Sequence, residues 1–197
     1  FPNTDLKMTG KKGQYTRKLD NGKLLTETIF GKPKSSVREG INKSSDPTIT
    51  FLIGPPASGK STWVAKHGNG KIIISRDDIA EKVAKSNKIT YNDLFDGTHD
   101  DLQTKINTEL QNHINSSIKS GKDMIIDMTN VTKKSRNGIL SRIPKTYIKN
   151  AVVFNVSRGE LLKRLQQREK ETGKHIPTTV LDDMMKRFEK PTKDEFD

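Results

Sequence analysis

Cysteine is absent from the 197 residues. Disulfide staples, thiol catalysis and cysteine-based zinc sites are therefore excluded. The absence agrees with a reducing compartment, and a cytoplasmic location is expected. Histidine is scarce: four residues, His67, His99, His113 and His175, lie far apart along the chain, so a histidine-based metal centre is not expected. No apolar run approaches the length that spans a bilayer and no secretory leader is visible, so no membrane partner is expected. The sequence opens on Phe1 rather than Met, as expected of a shortened chain. Acids are outnumbered, 24 Asp and Glu against 36 Lys and Arg, giving a formal charge of +12 and a pI near 9.8. That surplus favours a polyanionic partner, DNA or RNA, over the alternative of a merely lysine-rich composition. Apolar residues make up only 30% of the chain, so the core must be economical. The length suffices for one α/β domain plus an extension.

Residues 1–47 differ from the rest. Ten Lys and Arg against five Asp and Glu give this segment +5 of the total charge, and its apolar residues are sparse. Asp20-Asn21-Gly22-Lys23, between Tyr15–Leu19 and Leu24–Phe30, has the composition of a hairpin turn. The segment reads as a basic arm or small β-hairpin, with a solvated tail as the alternative. Residues 48–197 read as the main domain. Strands are expected near 49–53, at Lys71–Ser75, at Met124–Asp127 and at Ala151–Val156. Helices are expected over 61–66, 78–85, 132–141, 159–171 and 177–188. Leu102, Ile106, Leu110, Ile114 and Ile118 recur every four residues and predict a helix over 100–120 that Gly121 ends. Alternating strands and helices predict a three-layer αβα sandwich around a parallel sheet, with ligands at the carboxyl ends of its strands.

At one such end stands Gly54-Pro55-Pro56-Ala57-Ser58-Gly59-Lys60-Ser61, which matches G-x-x-x-x-G-K-S, a P-loop. It follows the β-rich run Thr48–Ile53 and precedes a stretch that can run as a helix, the context such a loop requires; a Gly/Pro surface turn is the alternative. The glycines let backbone N–H groups curl around phosphate oxygens, and the helix behind adds the positive end of its dipole. Gly54, Ala57, Ser58, Gly59, Lys60, Ser61 and Thr62 are the candidate ATP-binding residues. Lys60 would reach the β- and γ-phosphates and the Ser61 hydroxyl would sit on Mg²⁺. Trp63 is expected to pack beside the loop helix.

Asp127 closes the hydrophobic strand Met124-Ile125-Ile126, where an acid orients Mg²⁺ or its water; capping the next helix is the alternative. In Ser75-Arg76-Asp77-Asp78, Asp77 is the candidate carboxylate that orients an acceptor alcohol and takes its proton, and Asp78 is either its substitute or a helix cap. Arg76 contacts phosphate or pairs with an acid. Arg164 and Arg168 lie one helical turn apart and share a face. Spacing alone leaves two readings for them, a clamp on the transferring phosphoryl or a solvated basic face.

These residues and their order resemble the 5′-hydroxyl polynucleotide kinase family. The matching pieces are Gly54 to Trp63, Ser75 to Asp78, Ile126-Asp127-Met128-Thr129-Asn130 with Arg136 downstream, Arg164 and Arg168, His175-Ile176-Pro177, and Arg187 to Asp197. The resemblance spans about 150 residues and implies an adenylate-kinase-like P-loop fold and ATP- and Mg²⁺-dependent phosphoryl transfer to a sugar hydroxyl on DNA or RNA, most simply a 5′ end. By resemblance, Lys60 and Ser61 hold phosphates and Mg²⁺, Asp77 is the general base and Arg168 and Arg164 are lid arginines. Arg76, Asp127, Asn130 and Arg136 line the substrate site. A phage protein acting in the host cytoplasm is implied. Three departures stand out. Ala80 occupies the place of an arginine that grips the acceptor's phosphate, no phosphatase-type Asp-x-Asp-x-Thr motif is present, and a last strand of the family is expected beyond Asp197. They keep open a kinase acting on hydroxymethylated pyrimidine bases in DNA, and a nucleic-acid-binding NTPase that phosphorylates no acceptor.

Overall fold

The computed structural model describes residues 46–197 together with the backbone of three upstream strands, β1 (Lys7–Met8), β2 (Gln14–Lys18) and β3 (Leu24–Phe30). The main part runs β4 (Thr48–Ile53), α1 (Lys60–His67), β5 (Ile72–Ser75), α2 (Arg76–Ser86), a 3₁₀ turn at Asp93–Phe95, and α3 (Asp100–Ser120). It continues with β6 (Met124–Asp127), α4 (Lys133–Leu140), β7 (Ile148–Phe154), α5 (Arg158–Thr172) and α6 (Thr178–Lys186). The strand order is β1-β2-β3-β7-β4-β6-β5. The last four of these, β7 to β5, are mutually parallel, as the alternation of elements predicts, and the first three pair antiparallel.

Successive strand residues point to opposite faces, and here both faces are apolar. Ile49, Phe51 and Ile53 of β4 enter one core with Met124 and Ile126 of β6, whereas Leu52 and Ile125 enter a second with Trp63, Val152 and Phe154. Trp63 thus packs behind the loop helix, as expected. On the first face α3 buries Ile106, Leu110 and Ile114 and stops at Gly121 with φ 63°, the left-handed cap its glycine permits. The register places Asp127 opposite both Leu52 and Ser75. The loop after β4, the start of α2 and the end of β6 therefore share one rim of the sheet.

Most element ends shift by one to three residues from the sequence reading, and two of the shifts have a visible cause. Strand β7 spans 148–154, not 151–156, because Ile148, Lys149 and Asn150 pair with Thr48, Ile49 and Thr50; the polar pair Lys149-Asn150 conceals the strand's first half. Helix α2 begins at Arg76 with Ser75 as its cap, the Ser75 hydroxyl accepting from the Asp78 N–H at 3.1 Å. Asp78 is therefore no cap, and both Asp77 and Asp78 occupy the first turn, where the helix dipole favours carboxylates. Upstream, β2 and β3 pair with Lys18 opposite Leu24, bracketing the expected turn, and β3 continues antiparallel along β7 with Phe30 opposite Ala151. The turn itself and the remaining basic stretches of the arm lie outside the described residues. Among the described residues no helix is long and apolar enough to cross a membrane.

Candidate active site

The loop after β4 is shaped by close approach. A Cβ on Gly54 would lie 2.8 Å from Ser58 Oγ and 3.0 Å from Phe154 Cβ, so a larger residue would push β4 from β7. Gly54 N–H donates to the Thr129 carbonyl at 2.9 Å and ties the loop to the segment after β6. Gly59 adopts φ 103° and Ala57 φ 60°, and these left-handed positions reverse the chain direction. Gly59 caps α1 without a side chain, and the helix has no acid in its first turn, so its free N–H groups and dipole are open to an anion. Ser58 Oγ is buried and makes no hydrogen bond. Lys60 Nζ folds back onto the carbonyls of Gly54 (3.0 Å) and Pro55 (2.8 Å). Burial pushes this ammonium down from 10.5 to about 8, against the pull of Asp127 and then Asp77. The loop thus holds a desolvated cation beside open amides.

Around it opens a cleft of about 1720 Å³, lined by the loop, Ser61, Thr62, Arg76, Asp77, Asp127, Asn130, Arg164 and Arg168 among others. Burial holds the Asp127 carboxyl above the usual range, with the Lys60 charge pulling the other way. Asp127 does not cap α4, since Thr132 does so by accepting from Ser135 N–H. Asp77 accepts from the Tyr91 hydroxyl at 3.1 Å and stands 3.6 Å from Arg168. Arg164, one turn earlier, donates to Glu160 at 3.0 Å and to the Ala57 carbonyl at 3.3 Å, so α5 leans on the phosphate loop. Arg76 is held by Gln103 (2.7 Å) and Asn107 (3.4 Å) of α3 while lining the cleft.

Two expected substrate contacts have other partners. Arg136 is wholly buried. It makes a two-pronged ion pair with Glu195 at 2.8 and 2.9 Å and donates to the carbonyls of Asn130 and Glu189 at 3.1 and 2.9 Å. Four of its five N–H donors are engaged there, and the side chain is fully buried and does not line the cleft, so the assignment of Arg136 to substrate binding is corrected accordingly. Asn130, at φ 48°, is buried at the cleft wall and directs its amide N–H₂ to the carbonyls of Leu52, Ile126 and Met128, bracing the loop. Ala80 is also fully buried, in the main core, so the arginine missing there says nothing about the cleft. Tyr91, which the sequence reading passes over, lies in a stretch without periodicity, and no local pattern marks it.

The donor set suits Mg²⁺. This ion takes few protein ligands, all oxygen, and leaves the rest to phosphates and water. Ser61 and Asp127, both lining the cleft, supply a hydroxyl and a carboxylate. Among the described residues there is no cluster of three or more His, Cys, Asp or Glu that could hold a metal ion.

Fold and site together define a P-loop domain with its cleft at the carboxyl ends of the parallel strands. The chain belongs to the AAA domain family AAA_33, whose model matches residues 49–191. Among solved structures it is similar to a chain of the Pnkp1/Rnl/Hen1 RNA repair complex, at 22% identity and a TM-score of 0.60 over 74% of this chain. This chain spans only 45% of that one. It is also similar to a protein of Chloroflexus aurantiacus assigned provisionally as a kinase, at 14% identity and a TM-score of 0.55, covering 72% of this chain and 76% of that one. At these identities the likeness is one of fold. No match was found among curated proteins.

Proposed function

We propose that this chain is an ATP-dependent kinase that transfers the γ-phosphate to a hydroxyl on nucleic acid, with the 5′-OH of a polynucleotide end as acceptor. One observation carries the reading: a carboxylate, Asp77, and a guanidinium, Arg168, stand 3.6 Å apart in the same cleft as the phosphate loop and its lysine. Phosphoryl transfer needs little else from a protein besides positioning and charge neutralisation. The loop amides and Lys60 would hold the triphosphate. Asp77 would accept a hydrogen bond from the acceptor alcohol and take its proton as the oxygen attacks phosphorus. Arg168 and Arg164, drawn to the phosphates, would offset the charge of the transition state. Ser61 and Asp127 would hold Mg²⁺, which when bound neutralises phosphate charge. The net charge of +12 supports a polyanionic acceptor. The fold shared with a chain of an RNA repair complex points the same way.

Labelled acceptors test this. The protein is incubated with γ-labelled ATP, Mg²⁺ and one of three oligonucleotides: a 5′-hydroxyl strand, a 5′-phosphorylated strand, or an end-blocked duplex containing hydroxymethyluracil. Label on the first alone is expected. Label on the third alone would reassign the chain to base modification, and phosphate release with no labelled acceptor would reduce it to an NTPase.

A further inference from the structure

Asp77 is half exposed on the first turn of α2, and a carboxylate so placed rotates unless held. The Tyr91 phenol donates to its Oδ1 at 3.1 Å. That phenol is itself fixed. Lys174 Nζ lies 4.6 Å above the ring centroid, and the Phe95 ring tilts against it with centroids 5.1 Å apart. Lys174 in turn pairs with Glu81 of α2. The neighbouring Asn92 donates through Nδ2 to the Gly173 carbonyl at 2.9 Å and accepts on Oδ1 from the His175 N–H at 3.2 Å. The corner at 91–92 is thereby fastened to the connection between α5, which carries Arg168, and α6. Burial first, then the Asp77 charge, holds the phenol far above its ordinary range, so it remains a neutral donor and competes for no proton.

We propose that Tyr91 is a positioning residue for phosphoryl transfer: its hydroxyl anchors Asp77 through Oδ1, so that Oδ2 meets the acceptor alcohol. The inference rests on the reading of Asp77 as the base. In the step itself the alcohol O–H bond breaks and its proton passes to Asp77 Oδ2. The new O–P bond forms at the γ-phosphorus, and the bond from that phosphorus to the β,γ-bridging oxygen breaks, ADP leaving with the electron pair. A neutral anchor suits the task, because a cation fixed at the same oxygen would weaken the basicity of any carboxylate, whereas a phenol supplies direction at little cost in basicity. Arg168 Nη2 stands 3.6 Å from Oδ2, beyond a normal hydrogen bond, and in the proposed step it leaves that oxygen to the alcohol and turns to phosphate.

Tyr91→Phe tests the assignment, since it removes one oxygen and keeps the ring under Lys174 and beside Phe95. With γ-labelled ATP and whichever oligonucleotide the wild-type protein labels, kcat is expected to fall about tenfold, the loss of one hydrogen bond to a charged group. KM for ATP and the melting temperature should stay unchanged. Asp77→Asn alone should cost on the order of a hundredfold or more, and adding Tyr91→Phe to it should cost nothing further. An unchanged kcat in Tyr91→Phe would overturn the proposal, as would an equal loss in the Asp77→Asn background or a loss confined to KM or melting. Full activity of Asp77→Asn would instead remove the base assignment, and wild-type protein that labels no acceptor would remove both.

Discussion

Lys60 meets two opposing demands. Its ammonium is useful only if charged, yet burial without a bound phosphate favours the neutral amine and brings its pKa to about 8. The unfolded chain holds this proton up to about 10.5, so between about 8 and 10.5 the unfolded state binds more protons and the ligand-free fold gains stability as pH rises. Nucleotide binding runs the other way. Phosphate oxygens favour the ammonium, so binding in that window must draw in a proton. We expect ATP affinity to weaken roughly tenfold between about pH 8 and about pH 9.5. Titration calorimetry in buffers of different ionisation enthalpy should show proton uptake on binding. Lys60→Met should lose both the uptake and the slope, and a flat affinity across the window in wild-type protein would contradict the buried-lysine account. Sequence alone supplied the identity of this lysine, because the loop pattern is local. It could not supply the pKa, which is set first by burial in the folded loop, with Asp127 from another strand and Asp77 from another helix pulling the other way.

Arg136 teaches the converse for whole elements. It follows a matched stretch, Asp127 to Asn130, and so reads in sequence as a substrate contact. Its partner Glu195 is 59 residues away, and nothing local announces the pairing. The structure shows the last segment stitched over the start of α4 and the base of β7. Glu195 clasps Arg136, the Phe196 ring meets Phe51 edge-on at 5.5 Å, and Asp197 accepts from the Lys149 N–H at 2.7 Å. Breaking a buried ion pair from one side leaves an uncompensated charge, so Arg136→Ala should lower unfolding free energy by about 3–5 kcal/mol. Arg168→Ala, on the half-exposed face of α5, should leave denaturant midpoints nearly unchanged and cut kcat. Equal melting curves for wild type and Arg136→Ala would refute the structural role. The helices with strong spacing, α3 above all, were legible in sequence because one apolar face repeats every turn. The front half of β7 was not, because Lys149 and Asn150 take their strand conformation from pairing with β4 rather than from their own preference.

At the scale of the whole molecule, the parallel sheet and the rim on which the site lies follow from the alternation of elements and from the rule that ligands gather at strand carboxyl ends. The addition of β3 to the β7 edge does not follow from the sequence, because a strand's neighbour is fixed by long-range register and not by composition. Charge sits between these cases: its sum is plain in the sequence, its partner is not. Five of the twelve net positive charges belong to residues 1–47 and seven to the remainder, so if nucleic acid is the acceptor both parts can neutralise phosphates. Each neutralised phosphate releases counterions, and affinity then falls as a power of salt concentration. Engagement of four phosphates would weaken acceptor binding roughly a hundredfold between about 50 and about 200 mM salt. ATP, held as proposed by the loop amides and Lys60, would have an affinity that changes far less over that range. The comparison is made by measuring KM for a 5′-hydroxyl oligonucleotide and for ATP at several salt concentrations in one assay. A steep slope for the acceptor and a shallow one for ATP would mark a polyanionic acceptor held by an extended basic surface. Equal, shallow slopes would mean that the acceptor is small and that the surplus of lysine serves no binding role.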